Sequence, residues 1–524
     1  MSRRPLLAAS LLSTLTLGAC GSTPVDESLV TTEYGPVRGA LTDTTRRFLG
    51  IPYAAPPVGE RRWKPPAPPA TWSAPLDALD FQSGCMQTPS LLSLVPRTDE
   101  DCLYLNVFTP RPAPAPATPA PVMVFIHGGG FDHGAGSESR YDGQSLAEAG
   151  VVLVTLNYRL GALGFLAHPA LSAESPDGIS GNQGILDQRA ALQWVRRNIA
   201  AFGGDPKNVT VFGESAGAVS IYGHLLSPKS AGLFDRAILE SGVAWLEGLP
   251  LRGANPTDGA EGQGLRLAKA LGCDGANPLA CLREKSETKL LTALKTRPDE
   301  LFGPGDVWAP TIDGVNLTGQ PGAQLLAGNF AKVPVMVGSN GDEGSVFLDA
   351  MPKDATEYEA ALAIAFGDDR AKAVAAAYPS GNYASFTAAL SAAIGDGYFV
   401  CDARRAARAF AKAGQSVYRY SFTRVPSAAP PALGIGSFHS AEIQFIFGGE
   451  FLGKALAPEE KPLESTMRGY WTRFARAGDP NGGGATAWPR YDASTDPYIR
   501  LDLQTSTGMA LKKDLCDFWD AQVR

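Results

Sequence analysis

Short runs rich in β-branched and aliphatic residues recur along the chain, at Val122 to Ile126, Val151 to Asn157, Val209 to Phe212, Ala237 to Leu239, Val333 to Val337 and Val417 to Phe422. This recurrence limits the fold more than any other feature. The spacers between runs are long enough to hold helices, and strands alternating with helices build an α/β fold, a mostly parallel sheet with helices on its faces. Asn182 to Phe202 places Leu192, Val195, Ile199 and Phe202 on one stripe, which predicts a core-packed helix leading toward the Val209 strand. Alanine-rich stretches between Glu343 and Cys401, such as ATEYEAALAIAF, read as helical insertions. Insertions there would cover the strand ends, where the ligand sites of open α/β sheets lie. The proline-rich pieces Pro65 to Pro69 and Arg111 to Val122 read as surface connections, and no internal repeat is visible.

The first twenty residues, MSRRPLLAASLLSTLTLGAC, place Arg3 and Arg4 ahead of an apolar run ending in small residues. That pattern is an export signal, too short to span a bilayer comfortably. Leu17-Gly18-Ala19-Cys20 resembles a bacterial lipobox, in which the cysteine is acylated and becomes the first residue of the mature chain. The expectation is a signal over 1–19, a lipid anchor on Cys20, and one domain over 24–524 in the bacterial cell envelope, or secretion if Cys20 is not acylated. Setting Cys20 aside, six of the 7 cysteines remain, an even number that suits pairing in an oxidising compartment. Proximity favours Cys85–Cys102 and Cys273–Cys281, which leaves Cys401–Cys516. A net charge of -7 gives no footprint for nucleic acid.

Gly213-Glu214-Ser215-Ala216-Gly217 has the form G-x-S-x-G, preceded by the Val209 run and followed by apolar residues at helical spacing. Strand, sharp turn and helix are the context a nucleophile elbow requires. A serine is a weak nucleophile at neutral pH, so a base must take its proton and a carboxylate must orient that base. Of the 5 histidines, His127, His133 and His168 precede Ser215, and His224 lies nine residues into the helix that Ser215 opens. All four read as structural or solvated. His439, in Gly436-Ser437-Phe438-His439-Ser440, remains, and it satisfies the order serine, acid, histidine of α/β-hydrolases. The acid belongs on the loop after the Val333 run, Ser339-Asn340-Gly341-Asp342-Glu343-Gly344, where spacing does not choose between Asp342 and Glu343.

FGGDPKNVTVFGESAG, Glu100-Asp101-Cys102-Leu103-Tyr104-Leu105-Asn106 and IHGGGF together resemble the type-B carboxylesterases, the family that contains the cholinesterases. The resemblance runs from about Gly35 to Cys516. It implies an α/β-hydrolase fold, assigns the acid to Glu343, and places Ser215 and His439 on the other triad positions. It also implies an oxyanion hole from the backbone N–H groups of Gly129, Gly130 and Ala216, and it agrees with the three cysteine pairs. The sequence departs from cholinesterases in the first disulfide loop: Met86 to Asp101 contains no aromatic residue, so the cation–π contact to a quaternary ammonium is missing there. Phe131, Trp245, Trp308 and Phe347 could line a pocket, although buried aromatics more often serve the core. The expectation is therefore a serine carboxylic-ester hydrolase acting on small-molecule esters, without metal or cofactor. Its rivals are an esterase or amidase specialised for one ester, and a non-catalytic binding protein on the same fold.

Overall fold

In the strand Ala120–Ile126, Val122, Val124 and Ile126 enter one hydrophobic cluster, whereas Met123 and Phe125 enter another. A strand buried on both sides belongs at the centre of a sheet covered on both faces. The computed structural model describes residues 26–522 apart from 89–94, 114, 116, 246–247, 295–304, 349, 431–433 and 452; the signal and Cys20 lie outside the described residues.

The main sheet has 11 strands among the described residues. In chain order they are β1 (Ala40–Leu41), β2 (Thr45–Pro52), β3 (Tyr104–Pro110), β4 (Ala120–Ile126), β5 (Val152–Leu156), β6 (Gly204–Glu214), β7 (Arg236–Glu240), β8 (Val335–Asn340), β9 (Val417–Phe422), β10 (Pro497–Leu501) and β11 (Ser506–Met509). Their spatial order is β1-β2-β3-β5-β4-β6-β7-β8-β9-β10-β11. From β5 to β10 every pairing is parallel; β1, β2 and β3 at one edge and β11 at the other pair antiparallel. The six runs anticipated from sequence all fall in the parallel portion, as β4 to β9.

Helices cover both faces. On one lie α1 (Gln183–Asn198), α2 (Ala216–Leu226) and α3 (Cys401–Lys412), contributing Leu192, Ile221 and Phe410 to the first cluster. On the other lies α4 (Lys461–Ala477), with Met467, Tyr470, Trp471 and Phe474 in the second. The anticipated insertion after Glu343 is helical, at Ala355–Phe366, Asp368–Ala377 and Phe386–Ile394, followed by a π-helical turn at Gly395–Val400 that runs into α3. This insertion packs with Trp519 from the C-terminal helix in a third cluster, around Tyr358, Leu362, Ile394 and Phe399.

The three cysteine pairs form as expected, Cys85–Cys102, Cys273–Cys281 and Cys401–Cys516. The last joins the start of α3 to the C-terminal helix Lys513–Gln522. Among the described residues no helix is long and apolar enough to cross a membrane, and no group of metal-ligating side chains converges.

Candidate active site

Strand β6 ends at Glu214, helix α2 begins at Ala216, and Ser215 stands alone between them at φ 56°, ψ -123°. A serine at positive φ is held there against its own preference. Its N–H donates to Glu240 O at 2.9 Å and its carbonyl accepts from Val219 N at 3.0 Å, so the end of β7 and the first turn of α2 fix it from both sides. The flanking glycines are required by close approach. A Cβ on Gly217 would lie 2.0 Å from Ile126 O, and one on Gly213 would lie 2.6 Å from the same oxygen.

The loop after β4 closes over this elbow. A Cβ on Gly128 would stand 3.0 Å from Ser215 Cβ, and Gly129 and Gly130 adopt φ 99° and 61°. The turn is tied by Asp132 N and His133 N, both donating to Gly129 O at 3.0 Å. Among the described residues the N–H groups of Gly129, Gly130 and Ala216 find no acceptor. Beneath the loop His127 stacks on Tyr158, centroids 4.4 Å apart, and Tyr158 Oη donates to His127 O at 2.9 Å.

Strand β8 delivers Glu343, and the loop beyond β9 delivers His439. His439 Nδ1 lies 2.6 Å from Glu343 Oε2, and Glu343 Oε1 accepts from Ser241 Oγ and Asn340 N, both at 2.6 Å. The sequence alone left Asp342 and Glu343 open, and the geometry divides their work. Asp342 turns the other way: its Oδ2 accepts from Ser437 N at 2.9 Å and Ser437 Oγ at 3.0 Å, bracing the histidine loop two residues before the imidazole. Phe347 and Phe399 each lie 4.9 Å, centroid to centroid, from the His439 ring.

The other face of the imidazole meets a residue that motif reading passed over. His439 Nε2 is 3.0 Å from Glu214 Oε1, which also accepts from Ser440 Oγ at 2.6 Å. The Nε2 contact is ionic and not directional, because Nε2 makes no hydrogen bond among the described residues, and neither does Ser215 Oγ. Burial alone would lower the pKa of His439, but the carboxylates of Glu214 and Glu343 outweigh it and raise it to about 9. Behind them burial, with Glu214 and Glu343 adding repulsion, pushes Glu442 up to about 8; burial and Glu442 hold Glu240 well above the carboxylate range. Carboxyl groups this close cannot all ionise together, and burial raises Glu214 as well. Glu240 Oε1 accepts from Trp471 Nε1 at 2.5 Å, and Glu442 Oε2 from Asn340 Nδ2 at 2.5 Å.

The remaining anticipated residues sort cleanly. His224 is buried between Gln188 Oε1 and Ser230 Oγ, both at 3.0 Å, and His168 caps the helix Pro169–Glu174 through Ala170 N at 3.1 Å. Burial pushes His127 and His224 down to about 3, so both are neutral framework. Of the four aromatics considered for the pocket, Phe347 touches the site. Phe131 and Trp308 belong to the first core cluster, and Trp245 packs under Arg405.

A buried imidazole held by one carboxylate, a serine on a strained elbow and unfilled backbone donors form the equipment of acyl transfer. The family model of the carboxylesterases matches residues 26–519. The chain belongs to the carboxylesterase family. It is 40% identical to a fumonisin B1 esterase of Sphingopyxis macrogoltabida, over 88% of this chain and 84% of that protein. It is 37% identical to a cholinesterase of Mus musculus and 37% to an acetylcholinesterase of Bungarus fasciatus, in each case over 94% of this chain and 86% of the relative. This member of the carboxylesterase family is accordingly an α/β-hydrolase and a carboxylic-ester hydrolase, and its disulfides suit an oxidising compartment.

Proposed function

We propose that the protein hydrolyses small-molecule esters through Ser215, His439 and Glu343. Ser215 Oγ attacks the ester carbonyl while His439 Nε2 takes its proton, and Glu343 holds the imidazole by Nδ1. The N–H groups of Gly129, Gly130 and Ala216 receive the oxyanion as it forms, where fixed donors in a dry site are most effective. His439 returns the proton to the departing alcohol, and water repeats the attack on the acyl-enzyme. The observation that carries the reading is the 2.6 Å contact between His439 Nδ1 and Glu343 Oε2, which aims Nε2 away from its acid partner. The experiment is hydrolysis of a panel of esters varied independently in acyl and alcohol size, run beside Ser215→Ala and His439→Ala. Each single variant should lose several orders of magnitude, and the double variant should be little worse than either, because the residues act as a unit. Near-wild-type turnover by Ser215→Ala would sink the assignment.

A narrower reading, an enzyme specialised for one natural or toxin ester, is favoured by the 40% identity to a fumonisin B1 esterase. The absence of any aromatic residue from Met86 to Asp101 points away from a dedicated choline esterase. The same panel separates the two: comparable rates across chain lengths support breadth, and a single active class supports specialisation. The proposal extends to the chain's N-terminus, with 1–19 removed, Cys20 lipidated and 24–524 acting as one domain.

A further inference from the structure

Directly after the glycine loop, Asp132 carries a carboxylate that nothing in the mechanism uses. Among the described residues its side chain has no hydrogen-bond or ion-pair partner. It is also not on the open surface. Protein surrounds it closely enough that burial pushes the carboxyl up to about 7, with no cation acting to lower it. Yet the residue keeps solvent-accessible surface. A group that is deep and still touched by solvent lines a narrow cleft. The pattern along the loop agrees: Gly129, Gly130, Asp132, His133 and Ser215 keep surface, whereas Gly128, Phe131 and Gly134 are buried. The loop itself lies against the elbow, since a Cβ on Gly128 would stand 3.0 Å from Ser215 Cβ. Two peptide units separate Asp132 from Gly130, so their Cα atoms are at most about 7.6 Å apart. Asp132 therefore sits next to the loop on which an ester carbonyl would be seated. Its known neighbours are not ionic: Oδ1 lies 3.6 Å from where Gly161 would carry a Cβ, beside Leu291, and Tyr158 lies beyond.

We propose that Asp132 is a specificity-determining residue that selects esters bearing a primary or secondary ammonium group close to the carbonyl. This rests on the esterase reading above. A carboxylate without donors gains most from a cation that also brings N–H bonds. A quaternary ammonium brings none and relies on aromatic faces instead, and the chain has no aromatic residue from Met86 to Asp101. The preference therefore runs toward protonated amines rather than toward trimethylammonium groups.

The test compares kcat/KM for the acetates of 4-(aminomethyl)phenol, its N,N,N-trimethyl derivative and 4-ethylphenol, in wild type and in Asp132→Asn. Each charged ester is expressed as a ratio to the neutral one, so that differences in leaving group cancel between the two proteins. The expected result is a fall of tenfold or more in the aminomethyl ratio on substitution, with a clearly smaller fall for the trimethylated ester. An aminomethyl ratio unchanged within twofold, with the neutral ester still hydrolysed, overturns the proposal and leaves the esterase reading standing. Equal falls for the two cations overturn the N–H preference. If wild type hydrolyses none of the three, the wider ester panel decides the esterase reading, and calorimetric binding of 4-methylbenzylammonium decides the subsite by itself. Tenfold tighter binding to wild type than to Asp132→Asn supports it, and equal binding refutes it. Thermal unfolding of Asp132→Asn confirms that both proteins are folded.

Discussion

Replacing Glu214 by glutamine should move the pH profile of hydrolysis without abolishing it. In the proposed mechanism His439 must be neutral in the free protein to accept the serine proton, so kcat/KM should fall tenfold per pH unit well below the pKa of His439. Sequence alone could not sign the shift from the ordinary value near 6.5, because burial lowers it and a neighbouring carboxylate raises it. The structure decides for the carboxylates: His439 is raised to about 9, with the charge of Glu214 making the largest Coulombic contribution beside the charge and hydrogen bond of Glu343. The acid limb of wild type should therefore lie above pH 7. The distance bounds the effect of Glu214. At the 3.0 Å between Nε2 and Oε1, Coulomb's law with an effective dielectric of about 20 gives roughly 5.5 kcal/mol, or about 4 pKa units. That is an upper limit, since Glu214 is itself raised by burial and carries less than a full charge as the pH falls. A drop of one to three units in the apparent pKa of kcat/KM is expected for Glu214→Gln. The assay is hydrolysis of a non-ionising ester between about pH 4.5 and 10, with circular dichroism at each point. Stability runs the opposite way. A histidine whose folded pKa is raised stabilises the fold fully below about 6.5 and ceases to do so as pH climbs through about 9. The enzyme should gain activity over the range in which it loses this contribution. An active Glu214→Gln protein whose acid limb coincides with that of wild type within about 0.3 unit would refute the electrostatic account.

The two adjacent acids should separate by phenotype: Glu343→Gln should cost on the order of a thousandfold or more in kcat with a near-normal melting temperature, whereas Asp342→Ala should lower both together as the histidine loop loses its brace. Removing Cys401–Cys516, which closes 115 residues, should destabilise by roughly 4.8 kcal/mol in the chain-entropy account, against roughly 2.5 kcal/mol for Cys273–Cys281, which closes 8. Urea midpoints of the two double-alanine variants check the order, and a reversal would count against it. Intact-mass analysis of protein from its native host should find a lipid-modified Cys20 as the first residue; a later N-terminus without lipid mass rejects the anchor.

The parallel strands were legible because a doubly buried strand is written as an unbroken apolar run, as in Ala120–Ile126. The antiparallel edge was not. Thr45–Pro52 reads TRRFLGIP and Tyr104–Pro110 reads YLNVFTP, and polar residues inside such strands hide their membership until partners are known. Arg46 is buried there through bonds to Thr109 and to Phe202 O, contacts that span 63 and 156 positions. Ser215 and His439 stand out by motif and by elimination, whereas Asp342 and Glu343 share one loop, and only the direction of each side chain separates them. Glu214 occupied a variable place in its motif, and its role appears when Ser440 and His439 fold against it from 226 and 225 positions away.

The sheet order has a bearing on what a partial chain can do. Ser215, Glu343 and His439 follow strands β6, β8 and β9, with β7 between the first two. A polypeptide still on the ribosome, or cut anywhere between Ser215 and His439, owns the proposed nucleophile without its proposed base and ends in an unpaired parallel edge. Two such fragments can regain turnover only by docking along that edge, strand to strand, in register. On the proposed mechanism, catalysis is thus a report on closure of the whole sheet. A loss of rate from a substitution far out in β9 or α4 should first be read as failed assembly, and only then as chemistry.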